Sequence, residues 1–156
     1  MSSGPTASRQ SAARWIAAYE AAWRAPGTDA LAGIFTPDAT YRHGPYDEPV
    51  VGLPAIARMW EAGRDGSDEA FKMASEIIAV DGATAVVRVQ VLYGDPVTQQ
   101  WRDLWLVRFA PDGRCAAFEE WPFAPRKPRP QAQPPPGFRA GPGRRARLAC
   151  CWRGWR

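Results

Sequence analysis

A chain of 156 residues, 46% apolar and with eight tryptophans, is long enough to fill one core and too short for two. Its formal charge of +4 is uneven: residues 126–156 hold nine of the 20 Lys and Arg and no acid, so residues 1–125 are net acidic. Three cysteines, two of them adjacent, argue against a disulfide framework, and no apolar run approaches the ~20 residues that a membrane span requires.

The first 14 residues are rich in Ser, Ala and Gln and lack an apolar h-region. No secretory signal is expected there, and the cysteine usage fits a reducing, cytoplasmic setting. Residues 1–7 read as a flexible start. From Ser8 to Ala25, Trp15, Ile16, Tyr19, Ala22 and Trp23 recur at helical spacing, and Pro26-Gly27 stops the helix. A short second helix carries Leu31, Ile34 and Phe35, with Asp29 as its cap and Pro37 beyond its end. A strand over 39–43 bears the only histidine. Gly52-Leu53-Pro54 opens a third helix to about Glu61, with Ile56, Met59 and Trp60 on one side.

After Gly66 the pattern alternates with period two. Strands are predicted over 71–80, 83–93, 98–109 and 115–123, separated by turns at Asp81-Gly82, Gly94-Asp95-Pro96 and Pro111-Asp112-Gly113. Helices followed by a meander define an α+β domain over 8–124, with a mainly antiparallel sheet wrapped around three helices. Residues 125–156, rich in Pro and Arg, read as a disordered tail. Its Arg144-Arg145-Ala146-Arg147 and Trp152-Arg153 mix cations with aromatics, but such an end binds any polyanion weakly, so nucleic acid is not an expected partner.

Three local patterns carry a family resemblance. They are Leu31…Ile34-Phe35-Thr36-Pro37-Asp38-Ala39-Thr40, Glu48-Pro49-Val50-Val51-Gly52…Ile56…Trp60, and Leu106-Val107-Arg108-Phe109-Ala110-Pro111-Asp112-Gly113-Arg114 leading to Glu119-Glu120-Trp121. In this order the chain resembles the nuclear-transport-factor-2-like, or SnoaL-like, superfamily, whose cone-shaped fold encloses one small-molecule pocket. Ketosteroid isomerases belong to it. Laid ungapped on their motif, the chain places His43 at the position of the carboxylate base and Tyr19 at the tyrosine that donates to the oxyanion. The second oxyanion acid falls on Trp105, so steroid isomerisation itself is not implied. The resemblance implies a cofactor-independent isomerase, cyclase or hydratase–dehydratase, or else a pocket protein without catalysis.

Strand alternation places Tyr41 and His43 on one face, so an inward Tyr41 takes His43 inward too. A neutral imidazole is a competent base near pH 7; the alternative is a rim histidine that only closes the pocket. Asp103 shares a face with Trp101 and Trp105, where it either orients His43 or donates as an acid, or else pairs with an arginine at the mouth. Glu120 shares parity with Phe118, although a one-residue slip would exchange it for Glu119. Tyr19 is either a core tyrosine or an oxyanion donor. Trp15, Tyr41, Trp60, Trp101, Trp105 and Phe118 are expected to wall the pocket, which would favour a small apolar or aromatic ligand. One histidine and one body cysteine exclude a usual zinc site, and no cofactor motif is present. On the outer face, Arg102, Leu104, Leu106 and Arg108 suit a homodimer interface.

Overall fold

The computed structural model of the chain describes residues 7–64 and 70–126; the expected flexible start lies outside the described residues apart from Ala7, whose amide donates to the Gly82 carbonyl at 2.8 Å, and the predicted tail lies outside them apart from its first two positions. Helix α1, Arg9–Arg24, starts at a reciprocal cap: the Ser8 hydroxyl accepts from the Ser11 amide at 3.0 Å, and the Ser11 hydroxyl accepts from the Ser8 amide at 2.8 Å. Its buried stripe is Ala12, Trp15, Ile16, Tyr19 and Ala22. Helix α2 is only Leu31–Ile34, and its N-cap is Ala30 with no side-chain hydrogen bond, so Asp29 does not cap it.

Strand β1, Phe35–Arg42, follows at once and begins four residues earlier than the expected strand. Pro37 disfavours a helical Thr36 and holds the chain extended, which ends the helix before Phe35. The strand also ends one residue before the expected limit, so His43 stands just past it. A two-residue strand β2, Val50–Val51, pairs antiparallel with β1 and was not expected. Gly52, at φ +88°, turns the chain into α3, Leu53–Gly63, which carries a proline in its first turn.

The meander follows as β3 Phe71–Asp81, β4 Thr84–Tyr93, β5 Gln99–Phe109 and β6 Cys115–Phe123. The sheet order is β2-β1-β6-β5-β4-β3, antiparallel except for β1 beside β6. Edge strand β3 is covered by α1. The Arg9 guanidinium donates to the Ile77 and Ile78 carbonyls at 2.8 and 3.2 Å, and Arg24 donates to the Phe71 carbonyl at 3.0 Å.

Register decides where the interior changes character. One inward row joins Ala85, Val107, Phe118 and Tyr41 across four strands. The next joins Val87, Trp105 and Glu120, and the one after it Val89, Asp103 and Pro122. A last row joins Met73, Val91 and Trp101. Moving along the sheet, a dry apolar core passes into rows that contain carboxyl groups. The site lies at that transition.

Candidate functional site

A cavity of about 390 Å³ lies over these rows, between the sheet and the faces of α1 and α3. Helix α1 contributes Tyr19 and Trp23, and α3 contributes Met59, Trp60 and Gly63. The sheet contributes Tyr41, Phe71, Met73, Val91, Tyr93, Trp101, Asp103, Trp105, Glu120 and Pro122, and His43 sits at the edge. Four indoles and two carboxyl groups therefore share one hollow.

A hydrogen-bonded line runs through its wall. The Tyr19 and Tyr41 hydroxyls are 2.9 Å apart, and the Tyr41 hydroxyl donates to Glu120 Oε2 in a short bond. Because Tyr41 gives its proton to Glu120, it accepts from Tyr19. His43 Nε2 is 3.9 Å from the same Glu120 oxygen, too far for a hydrogen bond but near enough for an ion pair once protonated. The His43 ring also tilts against Tyr41, at 5.0 Å between centroids. Its side chain is 48% exposed.

Burial sets the protonation states. Asp103 is 5% exposed, and desolvation, reinforced by the neighbouring Glu120 charge, pushes its carboxyl up to about 7. Desolvation also raises Glu120, opposed by the bond from Tyr41. The Trp105 N–H favours both ionised carboxylates without hydrogen-bond geometry to either. Desolvation lowers His43, and the Asp47 charge partly restores it, so the imidazole is neutral at pH 7. Burial, with Glu120 as the next cause, holds the Tyr19 and Tyr41 phenols well above their ordinary range. They act as hydrogen-bond groups and not as phenolates.

The sequence profile of the SnoaL-like domain matches residues 15–118, from the buried tryptophan of α1 to the core phenylalanine of β6. The chain belongs to the SnoaL-like family. Among solved structures it is similar to a candidate polyketide cyclase from Sinorhizobium meliloti, at 27% identity and a TM-score of 0.54 over 69% of this chain and 93% of that one. A candidate ketosteroid isomerase from Kribbella flavida is 18% identical, with a TM-score of 0.57 over 78% and 82% of the two chains. An epoxide hydrolase of the LEH-like type from M. tuberculosis is 15% identical, with a TM-score of 0.57 over 73% and 84%. The last two likenesses show the fold alone. No curated protein matches the sequence.

Within this SnoaL-like domain, Tyr19, Tyr41, His43, Trp60, Trp101, Asp103, Trp105 and Glu120 all line the cavity. Trp15 and Phe118 do not. Both are buried in the aromatic core, 5.5 Å apart between ring centroids, because a helical or strand stripe specifies inwardness but not depth. Glu120 is the inward carboxylate of its pair, opposite Trp105, whereas Glu119 accepts from the Trp121 indole at 3.0 Å. No hydrogen bond joins His43 to Asp103 among the described residues; His43 Nε2 lies 3.9 Å from Glu120, whose charge also acts on Asp103. Residues not anticipated in the lining include Trp23, Met59, Met73 and Tyr93. The β4 alternation that turns Val91 inward holds the signal for Tyr93.

Cys115 is a buried free thiol that burial pushes up to about 12, which leaves it protonated and inert as a nucleophile. Among the described residues, no helix is long and apolar enough to cross a membrane, and no group of three His, Cys, Asp or Glu side chains could hold a metal ion.

Proposed function

We propose that this SnoaL-like protein is a cofactor-independent acid–base enzyme of the isomerase, cyclase or hydratase–dehydratase kind. It acts on a small apolar or aromatic substrate, with His43 as proton acceptor and Tyr19 as donor to the developing oxyanion. The observation that carries this reading is the Tyr19–Tyr41–Glu120 line, which ends 3.9 Å from His43 in the wall of an apolar cavity.

The line has two polarities. With Glu120 ionised, Tyr41 donates to it and Tyr19 donates to Tyr41, so Tyr19 has no proton for a ligand. With Glu120 protonated, the carboxyl donates to Tyr41, Tyr41 donates to Tyr19, and the Tyr19 proton is released toward the cavity. Neutral His43 takes a proton from substrate carbon or from water, and a turn of its exposed ring hands that proton to Glu120 Oε2. The transfer aims a Tyr19 O–H at the substrate oxygen as negative charge grows there. Asp103, largely protonated below neutral pH, offers a second acid beside it. Reversal of the same steps returns the proton to product. A buried free thiol at Cys115 suits a reducing cytoplasm.

The test is exchange of the α-protons of a bicyclic ketone such as tetralone into D2O, followed by NMR. Wild type should exceed buffer, and His43→Ala and Tyr19→Phe should each lower the enzymic rate about 10²-fold. Exchange no faster than with heat-denatured protein, or unchanged in His43→Ala, removes the reading.

A specific observation also favours a second role, homodimerisation through the outer sheet face. Leu104 and Leu106 are only half-buried, cross-strand from Trp121 and Glu119, with Phe123 59% exposed nearby and exposed Arg102 and Arg108 around them. The double variant Leu104→Asp/Leu106→Asp should elute as a monomer where wild type elutes as a dimer. An unchanged elution volume discards this surface.

A further inference from the structure

The charge balance inside the cavity points to the chemistry of its ligand. Two carboxyl groups, on Asp103 and Glu120, face a hollow whose described lining contains no lysine or arginine. His43 at the edge is neutral at pH 7 and gives them no fixed countercharge. Asp103 Oδ1 is buried without a hydrogen-bond partner among the described residues, on a residue only 5% exposed. Natural interiors rarely leave such an oxygen unmet, because removing it from water without a partner is unfavourable.

Besides Tyr19 and Tyr41, the rings of Trp23, Trp60, Phe71, Tyr93, Trp101 and Trp105 line the same space. Ring faces attract cations through their quadrupole, most strongly in indoles. The two guanidinium groups near this wall do not line the cavity. Arg24 lies over Phe71 and pairs with Glu20, and Arg64 lies beside Trp23 and Trp60 and pairs with Glu61. Each already has a carboxylate within ion-pair distance, although the Arg64 Nε is itself buried without a hydrogen-bond partner among the described residues.

We infer that the cavity takes an organic cation, an aromatic or polycyclic amine, with its charged nitrogen against Asp103 and Glu120 and its rings among the indoles. This rests on the cavity being the ligand site of the proposed enzyme, and it narrows the substrate class. A protonated amine supplies both what Asp103 Oδ1 lacks, an N–H donor, and what the carboxyl pair lacks, an opposing charge. A neutral ligand of the same shape supplies neither. Glu120 keeps the Tyr41 bond through one oxygen, so the amine and the tyrosine line need not compete for one atom.

The experiment compares naphthylmethylamine with its neutral counterpart naphthylmethanol by titration calorimetry near pH 8, using wild type, Asp103→Asn and Glu120→Gln. The expected result is amine binding about tenfold or more tighter than alcohol binding in wild type. In Asp103→Asn the two affinities should converge, through loss of amine affinity while alcohol affinity is kept. Alcohol binding as tight as amine binding overturns the inference and leaves the ligand pocket standing. An amine preference that survives in both variants also overturns it, since the preference then lies elsewhere. Binding of neither ligand overturns it together with the pocket as ligand site. Ketone exchange tests the catalytic reading separately.

Discussion

Two buried regions of the same fold treat the same side chain differently. In the core, Trp15 donates its indole N–H to the Ile34 carbonyl at 2.8 Å and packs against Phe35, Phe109 and Phe118. At the cavity, Trp60 and Trp105 are as deeply buried, yet neither indole N–H has a partner among the described residues, and Asp103 Oδ1 beside them has none either. Two unmatched atoms lie outside the cavity lining, the buried Thr36 hydroxyl on the core side and Arg64 Nε behind the Trp23–Trp60 wall. The contrast teaches that burial alone does not define a core. A core is where burial and polar satisfaction coincide, and a binding site is where the second is withheld.

The comparison breaks most visibly if the core side is not the stable one. Trp15→Ala should cost about 3–5 kcal/mol in urea unfolding, through lost burial and the hole left among the rings. A loss smaller than that of Trp101→Ala, whose indole is only half-buried at the cavity, would invert the assignment of core and site.

Asp103 sharpens the other side. Its folded-state carboxyl sits at about 7 against 3.8 for the free group, so between those values the folded protein holds a proton that the unfolded chain has lost. Stability therefore falls as pH rises from about 4 to about 7 and is flat above, by about 4 kcal/mol in order of magnitude for a shift of this size. Asp103→Asn cannot ionise and should lose this slope, so it gains on wild type as pH rises to 8. Parallel stability–pH curves for the two proteins would contradict the burial argument. Tyr41→Phe acts between the two regions. It removes the hydroxyl that joins Tyr19 to Glu120 and should cost about 1–3 kcal/mol, because a buried phenol and a partly buried carboxyl lose their partner. An unchanged midpoint would mean that the line does not hold the wall.

Much of the architecture was legible because period and turn chemistry dominate it. The β6 limits of 115–123, the inward parity of Glu120 and the hairpin at Asp81-Gly82 all follow from alternation and glycine. Parity also carried Tyr41 and His43 to the same side. The rest depended on pairings remote in sequence. The Tyr41–Glu120 bond spans 79 residues, and it exists because β1 lies parallel to β6, which no local pattern specifies. Two-residue β2 is too short to show a period, and the early start of β1 was hidden behind an apolar Ile34-Phe35 that reads equally well as helix. The depth of Trp15 and Phe118 escaped for a related reason: alternation says which way a side chain faces, not how far the neighbouring helix stands off.

The smallest expected effect lies outside both regions and tests the reason for their difference. On the outer face Arg88 donates to Glu76 at 2.9 Å, with side-chain exposures of 66% and 64%. The contact is as well formed as any in the cavity, but water reaches both partners, so losing it returns each to solvent and strands neither. Arg88→Ala should therefore move stability by no more than about 0.5 kcal/mol, and raising salt should shrink even that. A loss comparable to that of Tyr41→Phe would mean that unmatched polarity matters equally wherever it occurs. The unpartnered groups around Asp103 would then cease to mark a site, and the division between satisfied core and unsatisfied cavity would carry no functional meaning.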